Sequence, residues 1–347
     1  MIEKHKNLEL IIHIGMGKAG STAIQRALSL SKGVLGMRKM HYLGLGLPQL
    51  GGEHTRPADT IEITARLPDE AKVEVGHKLI AEIMAYNSDR GLNKFILSNE
   101  ALFGNIDDLH PLFSALIEEV NVKFIAYIRS PASWLRSAYI QWGLKHKTDT
   151  GRIPSYEEKA KQLVKNYSIA PLWQRHYKNH LSVIKYEKKL DVVDSFSRMI
   201  DAELVKPEFN QNPQIPDEDI VFRTMYNDRF NRKVLPSEYD RLGIKSNSAD
   251  QPNLTSVLER IKSDQSVSAI LEEQRDVFEE IERIFEISIT DDMQGLRIFE
   301  DGPALEKKLI GILVDHVLSL SESNIAMKEE LARLSAIVDK ISKNSVY

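Results

Sequence analysis

The stretch LELIIHIGMGKAGSTAIQRAL, residues 8–28, decides how the start of this chain folds. Residues 8–14 form a nearly continuous apolar run that predicts a buried strand, and residues 23–28 begin a helical pattern. The glycines at 15, 17 and 20 let the backbone bend with its N–H groups facing inward. The helix that follows directs its positive dipole end toward the same place. The stretch therefore predicts a site for a phosphate or sulfate group.

The position of the lysine distinguishes between classes of anion site. In a Walker A loop, G-x-x-x-x-G-K-[ST], the lysine comes after the last glycine and directly before the hydroxyl residue. Here Lys18 precedes Gly20, and Ser21 and Thr22 follow that glycine. This order resembles the 5′-phosphosulfate loop of sulfotransferases that use 3′-phosphoadenosine 5′-phosphosulfate (PAPS), which commonly runs G-x-x-K-[ST]-G-[ST]-[ST]. For the loop taken alone, a glycine-rich turn without a ligand is the alternative.

A second motif follows about a hundred residues later. Residues 127–139, YIRSPASWLRSAY, place Arg129 at the end of a predicted strand and Ser137 in the next helix. This string resembles the 3′-phosphate motif of the same family, in which the arginine clamps the phosphate with its planar fork and the serine donates a hydroxyl. Taken alone, the arginine also fits a surface ion pair and the serine a solvent-facing position. The two motifs in this order favour the sulfotransferase family.

Two shorter segments resemble the same family. Residues 94–98, KFILS, are followed by Asn99 and Glu100, as in the family's S-x-E-x-L turn after its second core strand. Residues 180–187, HLSVIKYE, resemble the later strand that ends in Tyr-Glu. The resemblance therefore covers roughly residues 8–230.

The resemblance implies a P-loop-like three-layer α/β fold with a central parallel sheet. It implies in-line transfer of a sulfuryl group from PAPS to a hydroxyl or amine of a glycan or other small acceptor, which leaves adenosine 3′,5′-bisphosphate. Lys18 would neutralise charge as that product leaves, because such a transfer needs mainly positioning and charge stabilisation. Glu100 is the candidate general base, His54 is its rival, and His13 is expected to be a core residue. The implied donor ligands, with no metal ion, are Gly17, Lys18, Ala19, Gly20, Ser21, Thr22, Arg129 and Ser137.

Apolar strand patterns alternate with helical patterns along most of the chain. This alternation indicates a parallel sheet with helices on both faces, in which ligands bind at the C-terminal ends of the strands. The glycine-rich segment 13–22 (the anion loop), Glu100 and Arg129 fall at such ends, so we expect them to converge on one crevice. The predicted strands are 8–14, 94–98, 122–128 and 181–186, and the predicted helices are 21–31, about 70–87, 109–119, 132–143 and 190–200.

Two segments are predicted to be irregular and to line the acceptor cleft. Residues 44–69 are rich in glycine and proline, and residues 144–155 are polar and basic. Long loops in a compact domain are usually functional or disordered. In the second segment, the side chains expected to offer cations to an acidic glycan are those of Lys145, His146, Lys147 and Arg152. A solvated surface loop is the alternative for each of them.

Composition excludes several classes of protein. The net charge of −4 is spread over well-mixed charges, which gives no basic field for nucleic acid. The chain has no cysteine, so it has no disulfide framework, thiol nucleophile or cysteine-based zinc site. No apolar run approaches the length of a membrane span, and the first one carries the anion loop rather than a signal-peptide cleavage site. We therefore expect a cytoplasmic, bacterial enzyme.

The C-terminal segment has a heptad pattern. Apolar residues recur at alternating steps of three and four, as in the a/d seam of a coiled coil, and Asn324 occupies an a position. The seam consists of Ile310, Leu313, Val317, Leu320, Met327, Leu331, Leu334, Val338 and Ile341. The pattern predicts a coiled-coil helix at 304–347 and a homodimer formed through residues 305–342, and the family resemblance implies a sulfotransferase-like domain at 1–303. A long helix packed on its own domain is the alternative.

Two other function classes stay open. A P-loop-type nucleotide kinase or NTPase needs Mg²⁺, a lysine adjacent to the serine or threonine, and an aspartate after a core strand. A scaffold protein would keep a decayed nucleotide fold and act through its coiled coil. The loop has the wrong order for the first class, and the intact Lys18, Arg129 and Ser137 disfavour the second.

Overall fold

The computed structural model describes residues 5–50, 56–187, 191–207, 217–241, 265–291, 293 and 302–344. The chain divides into two compact units. The first consists of residues 1–214 and 223–298, and the second of residues 215–222 and 299–347. The residues that form the candidate site belong to the first unit.

A five-stranded parallel sheet forms the centre of the first unit, which confirms the predicted α/β class. Its strands are β1 His5–His13, β2 Met40–Gly44, β3 Lys94–Ser98, β4 Val120–Arg129 and β5 Leu181–Tyr186. They are arranged in the order β2-β3-β1-β4-β5, and every neighbouring pair is parallel. The middle of β1 is fully buried because its continuous apolar run suits a strand that is covered on both faces. The C-terminal ends of β3, β1 and β4 therefore lie side by side.

Helices connect and cover the strands. The described α-helices are α1 Ser21–Leu30, α2 Lys32–Met37, α3 Thr60–Ala65, α4 Asp69–Arg90, α5 Ala101–Gly104, α6 His110–Glu119, α7 Pro131–Tyr139, α8 Tyr156–Leu163, α9 Ile169–Tyr177, α10 Val192–Ile200, α11 Asp217–Asn227, α12 Pro236–Asp240, α13 Gln265–Glu273, α14 Arg275–Phe285 and α15 Gly302–Asn344. A π-helix, Ile140–Lys145, continues directly from α7.

Aromatic contacts show that helices cover both faces of the sheet. On one face, the His13 ring contacts Phe196 of α10 edge-on, with ring centroids 5.4 Å apart. On the other face, Phe124 of β4 contacts Phe113 of α6 and Trp173 of α9 at centroid distances of 5.2 and 5.1 Å. His13 is in register with Ile125 of β4, so these two side chains lie on the same face of the sheet. Phe124 precedes Ile125, and because successive side chains of a strand alternate between faces, Phe124 lies on the opposite face.

Three sequence-based expectations need correction. Strand β2 was not predicted, and the segment 44–69, predicted to be irregular, contains a 3₁₀-helix at Pro57–Asp59 and α3. The helix predicted at 132–143 is α-helical only as far as Tyr139, after which it widens into the π-helix. The strands predicted at 94–98 and 181–186 are confirmed with the expected bounds.

The second unit is dominated by α15, which confirms a single long helix of 43 residues in the C-terminal segment. The described apolar side chains of the heptad seam are between 45% and 64% exposed. They are Ile310, Leu313, Val317, Leu320, Met327, Leu331 and Leu334. The side chains of Val338 and Ile341 lie outside the described residues. No helix in the described ranges is long and apolar enough to cross a membrane.

Candidate anion-binding site

The loop between β1 and α1 adopts a strained, tightly bent conformation. Gly20, directly before α1, has φ of 92°, and a Cβ at this position would lie 3.0 Å from the methyl groups of Val192. Only glycine fits there without strain. Lys18 has φ of 66°, in the left-handed region that costs an L-residue about 1–2 kcal/mol. Such strain is concentrated at functional sites.

Several hydrogen-bond donors of this loop have no protein acceptor. Among the described residues, unpaired backbone N–H groups belong to Gly17, Lys18, Gly20, Ser21 and Thr22. The N–H of Ala19 differs, because it donates to the Met16 carbonyl at 3.1 Å. The buried Ser21 hydroxyl also lacks a partner in the described structure. A buried hydroxyl is normally hydrogen-bonded, so the unpaired Ser21 hydroxyl beside open N–H groups at a helix N-terminus indicates a place for an anion.

Side chains from β4 and α7 hold the loop in this conformation. Trp134 donates from Nε1 to the Gly17 carbonyl at 2.7 Å, and Arg129 donates from Nη1 to the Lys18 carbonyl at 3.2 Å. The indole of Trp142 also lies against Gly17, since a Cβ built there would be 3.1 Å from two of its ring atoms. The two predicted motifs are thus joined directly.

Arg129 is fixed in a half-buried position at the end of β4. Its Nε donates to Ser133 Oγ at 2.9 Å, and its guanidinium carbon lies 5.5 Å from the centre of the Tyr186 ring. The other terminal nitrogen, Nη2, has no acceptor among the described residues. Ser137 lies one turn after Ser133 on α7, so both serines occupy the same side of that helix. The structure therefore brings Arg129, the Ser137 side of α7 and the anion loop together.

Glu100 lies at the end of β3, directly before α5. Its exposed carboxylate accepts a hydrogen bond from Gln25 Nε2 of α1 at 2.7 Å. Burial, and secondarily the negative charge of Glu100, raise the pKa of the Tyr42 hydroxyl. The same carboxylate raises the pKa of Lys18, against the larger effects that lower it. Glu100 is therefore within electrostatic range of the anion loop.

The loop carries an excess of positive charge. Burial lowers the pKa of the Lys18 ammonium, and the charges of Lys145 and Arg129 lower it further. Glu100 supplies the only opposing contribution among the causes of this shift. Cations held close together against their mutual repulsion favour the binding of a negatively charged ligand.

Of the two histidines His13 and His54, the structure describes only His13. His13 is fully buried, its Nδ1 lies 2.8 Å from Ser98 Oγ, and burial lowers its pKa to about 3. It is a neutral core residue, as expected. His54 lies outside the described residues.

The expectation for Lys147 is wrong. This lysine is fully buried, and its ammonium donates to the backbone carbonyls of Gly151, Asn227 and Phe230. Three carbonyls occupy its three donors, so it has none left for an acidic glycan. The hydrogen bonds of Lys147 instead connect the segment after the π-helix to the end of α11.

Sequence reasoning missed the residues that hold the site together. Trp134, Trp142 and Tyr186 contact the loop or Arg129, and Gln25 contacts Glu100. Tyr186 had a usable signal in the sequence, because it ends the strand predicted at 181–186. The two tryptophans look like ordinary apolar helix residues in the sequence.

The comparisons with known proteins leave this geometry to be interpreted from its own residues. The sequence matches no protein-family model, and no curated protein matches it.

Proposed function

We propose that this chain is a sulfotransferase that moves a sulfuryl group from PAPS to a hydroxyl or amine of a glycan or other small acceptor. The observation that carries the proposal is the set of unpaired donors at residues 17–22, joined through Arg129 to the start of α7. The parallel sheet, with its helices on both faces and its loop between β1 and α1, supports a P-loop-like arrangement.

The donor set suits the two anionic ends of this nucleotide. The 5′-phosphate fits the open N–H groups of Gly17, Lys18, Gly20, Ser21 and Thr22, and the unpaired Ser21 hydroxyl would become satisfied on binding. The 3′-phosphate fits the free Nη2 of Arg129 and the hydroxyl of Ser137. The guanidinium is already oriented by Ser133 and Tyr186, so little conformational entropy is lost when it binds.

The transfer itself needs few groups. The bond between sulfur and the bridging oxygen of the donor breaks, and a bond between sulfur and the acceptor oxygen or nitrogen forms. Lys18 stabilises the negative charge that develops on the departing bisphosphate. Glu100 accepts the proton that the acceptor loses, and its hydrogen bond with Gln25 orients it.

We also propose that α15 forms a parallel coiled coil with a second copy of the chain. The exposed residues along its seam repeat at heptad spacing, and Asn324 supplies the single polar a position that favours a two-stranded register. A second copy presents the same stripe, so the two seams are complementary by symmetry.

Calorimetry with adenosine 3′,5′-bisphosphate in the presence of a chelator tests the donor site. We expect metal-independent binding that is tighter than that of adenosine 5′-phosphate. Arg129→Ala should remove a charge-assisted contact of about 1.5–3 kcal/mol, a loss of roughly 10- to 150-fold for the bisphosphate alone.

Arg26→Ala is the control, because Arg26 is an exposed arginine on α1 whose loss should leave both affinities unchanged. Equal affinity of the unmodified protein for the two nucleotides would contradict the donor assignment. Preferential binding of ATP with Mg²⁺ would instead support the nucleotide kinase or NTPase class.

A further inference from the structure

The π-helix after α7 places an unusual turn beside the anion loop. Its wide ring is closed by the His146 N–H, which donates to the Gln141 carbonyl at 2.9 Å. Gly143 permits the turn, because a Cβ there would lie 2.7 Å from the ring of Tyr139. Through Trp142 the same turn contacts Gly17. Single π-turns inserted after α-helices occur frequently at functional sites.

Lys145 is the last residue of this turn, and the backbone is fixed on both sides of it. The Leu144 carbonyl accepts a hydrogen bond from Asn227 Nδ2 at 2.6 Å. The peptide groups of Lys147 and Val234 bond to each other in both directions, at 3.2 and 3.0 Å. Lys145 therefore projects from a well-anchored segment, as a preorganised ligand-binding residue should.

The charge of Lys145 has no partner of opposite sign among the described residues, and its side chain is half-buried. It lies close enough to Lys18 to lower the pKa of that ammonium. Two lysine charges on separate segments repel each other, and an anion bound between them offsets this repulsion because it attracts both. In the proposed function, the loop and Arg129 bind the two phosphates of the donor, which leaves its sulfuryl group as the anion for Lys145.

We propose that Lys145 binds the non-bridging oxygens of the sulfuryl group in the bound donor, as a second cation beside Lys18. This inference rests on the proposed function. Lys18 then serves the bridging oxygen that leaves with the bisphosphate, while Lys145 accompanies the group that is transferred. The π-turn positions Lys145 at the sulfuryl end of the donor.

The test compares two ligands that differ only in the sulfuryl group. In the absence of acceptor, calorimetry of Lys145→Met should show PAPS affinity reduced about tenfold, with affinity for adenosine 3′,5′-bisphosphate unchanged. Lys145→Arg, which keeps the charge, should recover most of the PAPS affinity. Near-ultraviolet circular dichroism verifies that both variants retain native packing.

Each other outcome overturns the assignment in a distinguishable way. An equal loss of affinity for both ligands would mean that Lys145 acts on the whole nucleotide. Unchanged PAPS affinity with a raised KM for the acceptor would move Lys145 to the acceptor side. Failure of the unmodified protein to bind the bisphosphate would overturn the proposed function, and this inference with it.

Discussion

Glu100 is the residue whose role a single substitution separates most clearly from binding. Glu100→Gln keeps the size of the side chain and removes the group that accepts a proton. If Glu100 is the base, kcat should fall about 10²- to 10⁴-fold, while affinity for adenosine 3′,5′-bisphosphate stays within about twofold. Turnover assays with labelled PAPS, combined with calorimetry, measure both quantities.

Gln25→Leu is the companion variant, because it removes the hydrogen bond that orients Glu100 and keeps the carboxylate. We expect an intermediate decrease in kcat. Near-normal turnover of Glu100→Gln would transfer the role of base to another group.

At the residue scale, what could be predicted depended on distance along the chain. The loop donors were predictable because strand, glycines and helix follow one another within about fifteen residues. The contacts of Trp134 and Trp142 with Gly17 were not, since they join segments more than a hundred residues apart. Lys147 was misjudged for the same reason, because its carbonyl partners at 227 and 230 come from a distant segment.

At the scale of elements, long periodic segments were predictable and short ones were not. The helix predicted at about 70–87 corresponds to Asp69–Arg90, a helix of 22 residues and about six turns. Helix α3 has six residues, too few to display a helical period, and β2 has five residues at the edge of the sheet. The π-turn escaped prediction because it depends on a close contact between Gly143 and the Tyr139 ring.

Strand β1 links the stability of the sheet to pH through His13. The unfolded chain protonates this imidazole below about pH 6.5, whereas the folded chain does so only near pH 3. The stabilising contribution of the neutral ring is therefore complete above pH 6.5 and is lost progressively as the pH falls toward 3. The free energy of unfolding should be about 2 kcal/mol smaller at pH 5 than at pH 7 from this residue alone.

Urea unfolding at pH 7, 6 and 5 measures this dependence. His13→Gln lacks the titrating ring and offers an amide to Ser98. Between pH 7 and pH 5, its free energy of unfolding should therefore fall by about 2 kcal/mol less than that of the unmodified protein. The other titrating groups cancel in the difference between the two proteins. Identical pH dependence for the two proteins would refute the role of His13.

At the scale of the whole molecule, self-association through α15 is the testable property. Leu331 occupies an a position of the seam and Ile325 lies off it, and these two side chains are 61% and 58% exposed. Leu331→Glu should convert the proposed dimer to a monomer at micromolar concentration, because two carboxylates would face each other in the seam. Ile325→Glu is the matched control and should stay dimeric.

Light scattering reports both masses. Termination after residue 304 should also give a monomer that still binds adenosine 3′,5′-bisphosphate, because the proposed donor ligands all come earlier in the chain. A monomer for the unmodified protein at micromolar concentration would contradict the dimer.

The class of sheet was predictable from alternating patterns, but the spatial order of its strands was not. The order β2-β3-β1-β4-β5 depends on which strands pair with β1. The apolar run of β1 suits any position inside a sheet, so the sequence does not indicate its neighbours. Convergence of the motifs was predictable nonetheless, since ligands gather at the C-terminal ends of parallel strands whatever their order.

The central place of β1 has a consequence for synthesis on the ribosome. This strand is translated before the other four strands of the sheet, but its two neighbours end only at residues 98 and 129. At a translation rate of roughly 5–20 residues per second, the edge of β1 that pairs with β4 stays open for about 6–23 s. An apolar strand with two open edges readily pairs with other chains, so nascent copies on one messenger RNA are at risk of aggregating. A chaperone that covers residues 8–14 during translation should therefore raise the yield of native protein, and slowing translation after residue 13 should lower it.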